Sequence, residues 1–428
     1  MNEIARELNK KIENSVVLNL LSEMGKRFYF PKGIVAQSAE ASKNAKRFNA
    51  TIGIAKIGSK PIHLSLIRQM VPELDENEIF PYAPTPGILE LRELWKAQMI
   101  KKNPGLKDKT TTTPLVVGGL TNGISLVADM FFDPGDKIIM PDIYWDNYPL
   151  IFEDKKEVEI VTFPYFAGSG FDLDGFKKVM AAHAGEKKIC LLLNFPNNPT
   201  GYTPSKQEAA GIAAVLKEYA ERGCRILTIF DDSYFSLFYE EKTYKQSLFV
   251  DCADLHPNIL AVKLDGPTKE DFVWGFRLGF ITFACKGLNA AQYDVLTQKT
   301  MGLIRATISN SNVLGQNLLL RAIKNKLYEK DKAAAFELIA AKYYKVKEVL
   351  SKISSDKIEI MPFNSGYFMC LKLKNMKAET LRRYLLTELA IGTISIQENF
   401  LRIAYSSVDV DKMEELFTEI FAAAEKLS

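Results

Sequence analysis

The sequence predicts an α/β fold: a mostly parallel seven-stranded sheet flanked by helices, with a smaller α+β domain attached. Three observations carry this. Seven short apolar runs fall between residues 114 and 283, helical stretches separate several of them, and beyond Phe283 the pattern changes to long helices followed by short strands and helices. The runs are near-continuously apolar rather than alternating, as in strands buried on both faces, and their alternation with helices favours a parallel sheet. A length of 428 residues exceeds one ordinary core, which fits two domains.

Taken in order, the chain opens on MNEIARELNKKIENSVVLNLLSEM, an amphipathic helical pattern with charges throughout and none of the continuous apolar stretch of a signal peptide. The strand candidates are residues 115–117, 137–140, 158–163, 189–194, 226–230, 260–264 and 278–283, with helices expected at 125–132 and 206–222. Residues 291–304 and 313–352 read as long helices rich in Leu, Ala and Lys. Strand-like 366–373, a helix over 380–389, a short strand at 400–404 and a closing helix at 411–427 follow. The expected division is residues 1–65 as an N-terminal arm and part of the small domain, 66–325 as the large domain and 326–428 as the C-terminal small domain. The boundary falls within the long helix, near residues 315–330.

Composition narrows the function classes. The chain is 47% hydrophobic and 25% charged, the balance of a soluble globular protein. A net charge of +3 over this length gives no electrostatic case for nucleic acid or an anionic membrane. No segment approaches the ~18 apolar residues needed to span a bilayer. His63, His183 and His256 lie far apart and outside any metal-ligand spacing, so no metal is expected. Cys190, Cys224, Cys252, Cys285 and Cys370 form no CxxC pair and fit reduced thiols in a cytoplasmic protein.

Three segments carry chemistry. The run Ile259-Leu260-Ala261-Val262-Lys263-Leu264 leads into Asp265-Gly266-Pro267-Thr268-Lys269, and Gly275-Phe276-Arg277-Leu278-Gly279 follows. An amine just past a buried strand is a candidate nucleophile, since desolvation and nearby cations keep it neutral. A guanidinium eight residues on suits a phosphate dianion. The run 189–193 leads into Asn194-Phe195-Pro196-Asn197-Asn198-Pro199-Thr200-Gly201, a rigid turn that presents amides and a hydroxyl over the sheet edge. The run 226–230 ends in Asp231-Asp232-Ser233-Tyr234. A carboxylate at a buried strand end needs a partner; a protonated pyridine nitrogen is one, and a helix or turn cap is the plainer alternative.

In this order and at these strand ends, the segments resemble the aspartate aminotransferase superfamily, the fold type I enzymes dependent on pyridoxal phosphate. The likeness runs from about Thr51 to Tyr405. It implies that Lys269 anchors the cofactor and moves the proton between substrate Cα and cofactor C4′. It further implies that Asp231 holds the pyridine nitrogen, that Asn198 and Tyr234 bond the phenolic oxygen, and that Arg277 binds the phosphate. Gly118-Gly119-Leu120-Thr121-Asn122-Gly123 is similar to the family's phosphate turn, entering a helix at Ile124, with Thr200 a further contact. Trp145, in Pro141-Asp142-Ile143-Tyr144-Trp145-Asp146-Asn147, matches the ring stacked on the pyridine, or is core. Tyr82 matches a tyrosine that reaches the phosphate from a neighbouring subunit, which implies a homodimer with composite sites. Arg402 aligns with the α-carboxylate arginine, and Gly53 lies in the strand that closes over the substrate. Arg305 resembles the side-chain carboxylate clamp of dicarboxylate-specific members, and reads equally as a surface or interface ion pair.

The chain departs from that pattern at Gly266 and Thr268, where serines are usual, and at Leu120, where a small residue is usual. Ile308 replaces an aromatic, and Ser311-Asn312 replaces a proline pair. The expected activity is amino-group exchange between an L-amino acid, acidic or aromatic, and a 2-keto acid such as 2-oxoglutarate. The alternatives are a pyridoxal-phosphate lyase or decarboxylase on the same fold, and a non-catalytic binding protein.

Overall fold

All seven apolar runs become strands of one sheet in the computed structural model, which describes residues 1–13, 18, 21–27 and 33–427. They are β1 (Leu115–Val117), β2 (Lys137–Pro141), β3 (Glu159–Phe163), β4 (Ile189–Asn194), β5 (Ile226–Asp231), β6 (Ile259–Asp265) and β7 (Gly279–Ala284). Their spatial order is β1-β7-β6-β5-β4-β2-β3, and only β7 runs against its neighbours. Every residue of β4, β5 and β7 is buried, which is why these runs carry no polar alternation. Successive side chains feed opposite cores: Leu191, Leu193 and Phe230 face one layer, and Cys190, Leu192 and Ile229 the other.

Helices α1 (Leu89–Lys102), α2 (Leu120–Phe131) and α3 (Lys206–Glu221) cover the sheet. Helix α3 starts where Ser205 and Glu208 form a reciprocal capping box. Helix α2 begins five residues before the expected position, because Gly119 at φ +87° supplies the sharp turn out of β1 and frees Leu120 to start the helix.

Beyond β7 come α4 (Ala290–Thr307), α5 (Val313–Lys324) and α6 (Tyr328–Leu350). The stretch expected to be one helix over 313–352 is thus two. Asn325 takes an extended conformation, and its side chain accepts the Leu327 N–H at 2.9 Å, a local bond that competes with helical continuation. An antiparallel sheet of order β8-β9-β11-β10 follows, from β8 (Ile358–Ile360), β9 (Met369–Leu373), β10 (Ile394–Ile396) and β11 (Phe400–Ile403). It packs with α7 (Ala378–Leu389) and α8 (Met413–Lys426). The strand expected from 366 starts only at Met369. Gly366, at φ +73°, sends its N–H to Leu237 O and offers its carbonyl to Tyr239 and Tyr405, so its backbone joins no ladder.

Residues 48–64 join this second core. Phe48–Asn49 pairs in parallel with Ile391–Gly392, and Ala50, Ala55, Ile62 and Leu64 share a cluster with Leu371, Leu401 and Phe417. Of the helical pattern expected over residues 1–24, Glu3–Lys11 is a helix capped by Asn2, and a short helix starts at Glu23. Residues 14–17, 19 and 20 lie outside the described residues. Among the described residues no helix is long and apolar enough to cross a membrane. The five cysteines are free thiols.

Candidate active site

Parallel strands of an α/β sheet direct their carboxyl ends toward a common edge, where ligands bind. Here β4 ends in Asn194, β5 in Asp231 and β6 in Asp265, with Lys269 four residues beyond. Asp231 stands opposite Asn194 in the β4–β5 register. Around this edge Leu120, Thr121, Trp145, Asn198, Asp231 and Lys269 line a cavity of about 180 Å³, joined by Tyr234 and Arg277.

Asp231 is 2% exposed and held from both sides. Its Oδ2 accepts the Tyr148 hydroxyl at 2.7 Å, and its Oδ1 accepts the Ser233 N–H at 3.1 Å and the Ser233 hydroxyl. Hydrogen bonds to a carboxylate stabilise its charged form. Its own carbonyl takes Asn194 Nδ2 at 2.7 Å, and Asn194 Oδ1 takes the Asn198 N–H at 2.8 Å. One amide therefore fixes the acid and the Asn198 turn together.

The Lys269 amine lies 4.8 Å from the centre of the Tyr234 ring. Burial pushes it down to about 8; Asp231 opposes this, and Arg277 adds to it. The Tyr234 phenol is pushed up by burial, so it stays a protonated donor at neutral pH.

Arg277 adopts a left-handed conformation and sets its guanidinium against Gly119, where any Cβ would collide with it. Together with the first-turn N–H groups of α2, which have no partner within the helix, this builds an anion-binding corner. The departures from serine at 266 and from a small residue at 120 belong together. A Cβ at Gly266 would stand 2.9 Å from Leu278 O and 3.0 Å from both Gly279 Cα and Leu120 Cδ1, so the backbone beside β7, with the leucine, closes the room a serine would need.

Arg402, 2% exposed, donates to Asn198 Oδ1 at 3.0 Å and to Thr51 O at 2.9 Å, and stacks 4.3 Å from the Phe368 ring centre. Its Nε has no hydrogen-bond partner among the described residues. Gly53 packs beside it: a Cβ there would meet Phe368 at 3.0 Å and the Tyr234 hydroxyl at 3.6 Å.

Six expected site residues do not line the cavity: Gly53, Gly119 and Arg402, which adjoin its lining residues Tyr234, Arg277 and Asn198, and Thr200, Tyr82 and Arg305. Thr200 is fully buried and gives its hydroxyl to Asn197 Oδ1 at 2.8 Å, bracing the turn from behind the cavity. Tyr82 is 91% exposed and Arg305 is exposed with its guanidinium on Ser309; neither lines the cavity of this chain. Five cavity or supporting residues were missed: Tyr148, Asn194, Ser233, Thr268 and Trp274. Tyr148 sits three residues after Trp145 and packs edge-on against it at 5.5 Å, a helical-turn spacing that would have placed it in the same wall. Trp274 had no signal beyond its place just before Gly275.

The donor set suits a planar ligand with an anionic group at Arg277, a cationic ring nitrogen at Asp231 and a carbonyl carbon within reach of Lys269. Comparison with known proteins identifies the family. Residues 57–420 match the family model described as aminotransferase class I and II. The probable N-acetyl-LL-diaminopimelate aminotransferase of Bacillus subtilis is 27% identical over 58% of this chain, a match spanning 60% of the relative's length. The probable aspartate/prephenate aminotransferase of Thermus aquaticus is 26% identical over 80% of this chain and 83% of its own. The kynurenine aminotransferase of Pyrococcus horikoshii, solved with PMP, has the same fold: TM-score 0.80 over 97% of this chain and 99% of that one, at 15% identity. The chain belongs to the class I and II aminotransferases.

Proposed function

We propose that the chain is a pyridoxal-phosphate aminotransferase that exchanges an amino group between an L-amino acid, acidic or aromatic, and a 2-keto acid such as 2-oxoglutarate. The observation that carries this is the meeting of Lys269, Asp231 and Arg277 around one cavity. When bound, pyridoxal phosphate supplies an aldehyde carbon to carry the amino group and a ring to take up the charge left when the Cα proton departs. Arg277, Thr121 and the α2 N-terminus would hold its phosphate, Asp231 its ring nitrogen, and Asn198 with Tyr234 its phenolic oxygen, with Trp145 against the ring face.

The chain's own part is proton transfer and orientation. Lys269, whose amine burial makes easier to deprotonate than an ordinary lysine's, would take the Cα proton and deliver it two atoms away, at the carbon that carried the aldehyde. Arg402 binds the α-carboxylate and so turns the Cα–H bond toward the amine. A guanidinium fully desolvated and short of one partner is suited to a ligand carboxylate. Gly53 leaves room for that ligand between Phe368 and Tyr234. The test is one amino acid given to the enzyme without any keto acid. One equivalent of keto acid per site is expected, whereas continuous release of ammonia or carbon dioxide would overturn the reading.

The exposure of Tyr82 and Arg305 supports a homodimer in which each subunit completes the other's site, and the free thiols suit a cytoplasmic setting. Arg305 then selects the donor. Arg305→Ala is expected to cut kcat/KM for aspartate or glutamate by about 10- to 100-fold, the worth of a charged hydrogen bond, while aromatic donors keep their activity. Equal losses across a donor panel would remove the clamp role.

A further inference from the structure

Lys269, Glu270 and Asp271 are each gripped by side chains from the C-terminal part of the chain. Tyr367 donates its hydroxyl to the Lys269 carbonyl at 2.9 Å. Lys332, on α6, reaches Glu270 at 3.0 Å and Asp271 at 3.1 Å. Tyr328, on the same helix, donates to Asp271 Oδ1 at 2.7 Å. Glu270 also takes Lys102, from α1, at 2.7 Å and the Ser236 hydroxyl at 3.0 Å. Both acids are buried, at 5% and 0% exposure.

Burial favours the neutral Glu270 carboxyl, but Lys102 and Lys332 overcome it and hold the group down at about 2. Such a buried ion triad is a poor route to stability, because apolar side chains of similar volume do as well without the desolvation cost. What it supplies is geometry. A carboxylate bonded from opposite sides by cations of α1 and α6 fixes the distance between the two helices at one point. That point is the residue after Lys269, so a shift of α6 moves the peptide to which the amine is attached. A misplacement near 1 Å costs a reacting group about 100-fold in rate.

We propose that Glu270 is a positioning residue for Lys269: shared by Lys102 and Lys332, it passes the placement of the C-terminal part on to the amine, which reaches its working position only with α6 docked. This rests on Lys269 being the reacting amine.

Glu270→Gln and Lys332→Met test it on two readouts. Both leave Asp231, Tyr234 and Arg277, the groups facing the amine, untouched. In protein freed of cofactor, the pH midpoint for labelling of Lys269 by an amine-reactive reagent, followed by peptide mass, is expected to rise from about 8 toward the ordinary value as the amine gains solvent. In the loaded enzyme kcat is expected to fall about 10-fold or more with KM within about twofold. Tyr367→Phe removes only the bond to the Lys269 carbonyl, so it folds and moves both readouts the same way by less. Lys332→Arg, which keeps the charge, restores both toward wild type. Variants that melt lower while the midpoint and kcat stay at wild-type values overturn the proposal and leave the triad a structural feature. Turnover retained by Lys269→Arg sinks the underlying reading instead, and the labelling midpoint, which needs no turnover, separates the two failures.

Discussion

Lys269→Ala is expected to lower kcat by about 1,000-fold or more, the combined worth of a covalent anchor and a general base, without lowering the melting temperature at pH 7. The second half follows from the same burial that makes the residue reactive. Folding takes this amine from its ordinary 10.5 down to about 8, so the native state disfavours the protonated form. Between about 8 and 10.5 the unfolded chain binds the extra proton and the folded chain does not. Stability from this group therefore rises with pH across that window, and below about 8 the full penalty applies. Alanine removes the penalty, as happens when a strained functional group is replaced. Activity should rise with pH through about 8 in the wild type as the free amine appears. Melting curves and kcat across pH 6–10 check both halves. A variant that keeps a third of its turnover, or that loses turnover only because it unfolds, would remove Lys269 from the chemistry.

Much of this arrangement was legible because buried strands and rigid turns are written locally. The mainly apolar runs at 189–193 and 226–230 read as strands covered on both faces, and the polar residues that stop them, Asn194 and Asp231, stand at the sheet edge in register. Where sequence reasoning went astray, a non-local contact had the deciding energy. Thr200 is the local exception: its buried hydroxyl bonds Asn197, three residues before it, and braces the turn. Gly266 looks like a lost phosphate contact until Leu278 O, Gly279 Cα and the Leu120 side chain are seen to crowd the place of a Cβ there. Tyr148 and Asn194 bond Asp231 across 83 and 37 residues, distances no local pattern encodes. The break at Asn325 was missed for the opposite reason: a single side-chain bond two residues long outweighs helix propensity on either side.

Asp231→Asn keeps the size and shape of the side chain and removes its charge, so its effect isolates electrostatics. The loss expected is about 100- to 1,000-fold in kcat, the range for deleting one preorganised charged partner of a transition state in a water-poor site. Tyr148 and Ser233 set how much of that depends on placement. Both donate to the carboxylate and so fix its orientation toward a cationic ring nitrogen. Tyr148→Phe removes one such bond and should cost about 10-fold, the lower end for a hydrogen bond to a charged group. It should not change kcat further in the Asp231→Asn background, since a bond whose purpose is to hold the charge is idle without it. Lys269 supplies an independent reading of the same charge. Asp231 raises its affinity for the proton, so Asp231→Asn should move the Lys269 labelling midpoint below about 8, and Tyr148→Phe should barely move it. Additive losses in the double variant, or a midpoint that rises, would mean that Asp231 acts through the shape of the turn, not through its charge.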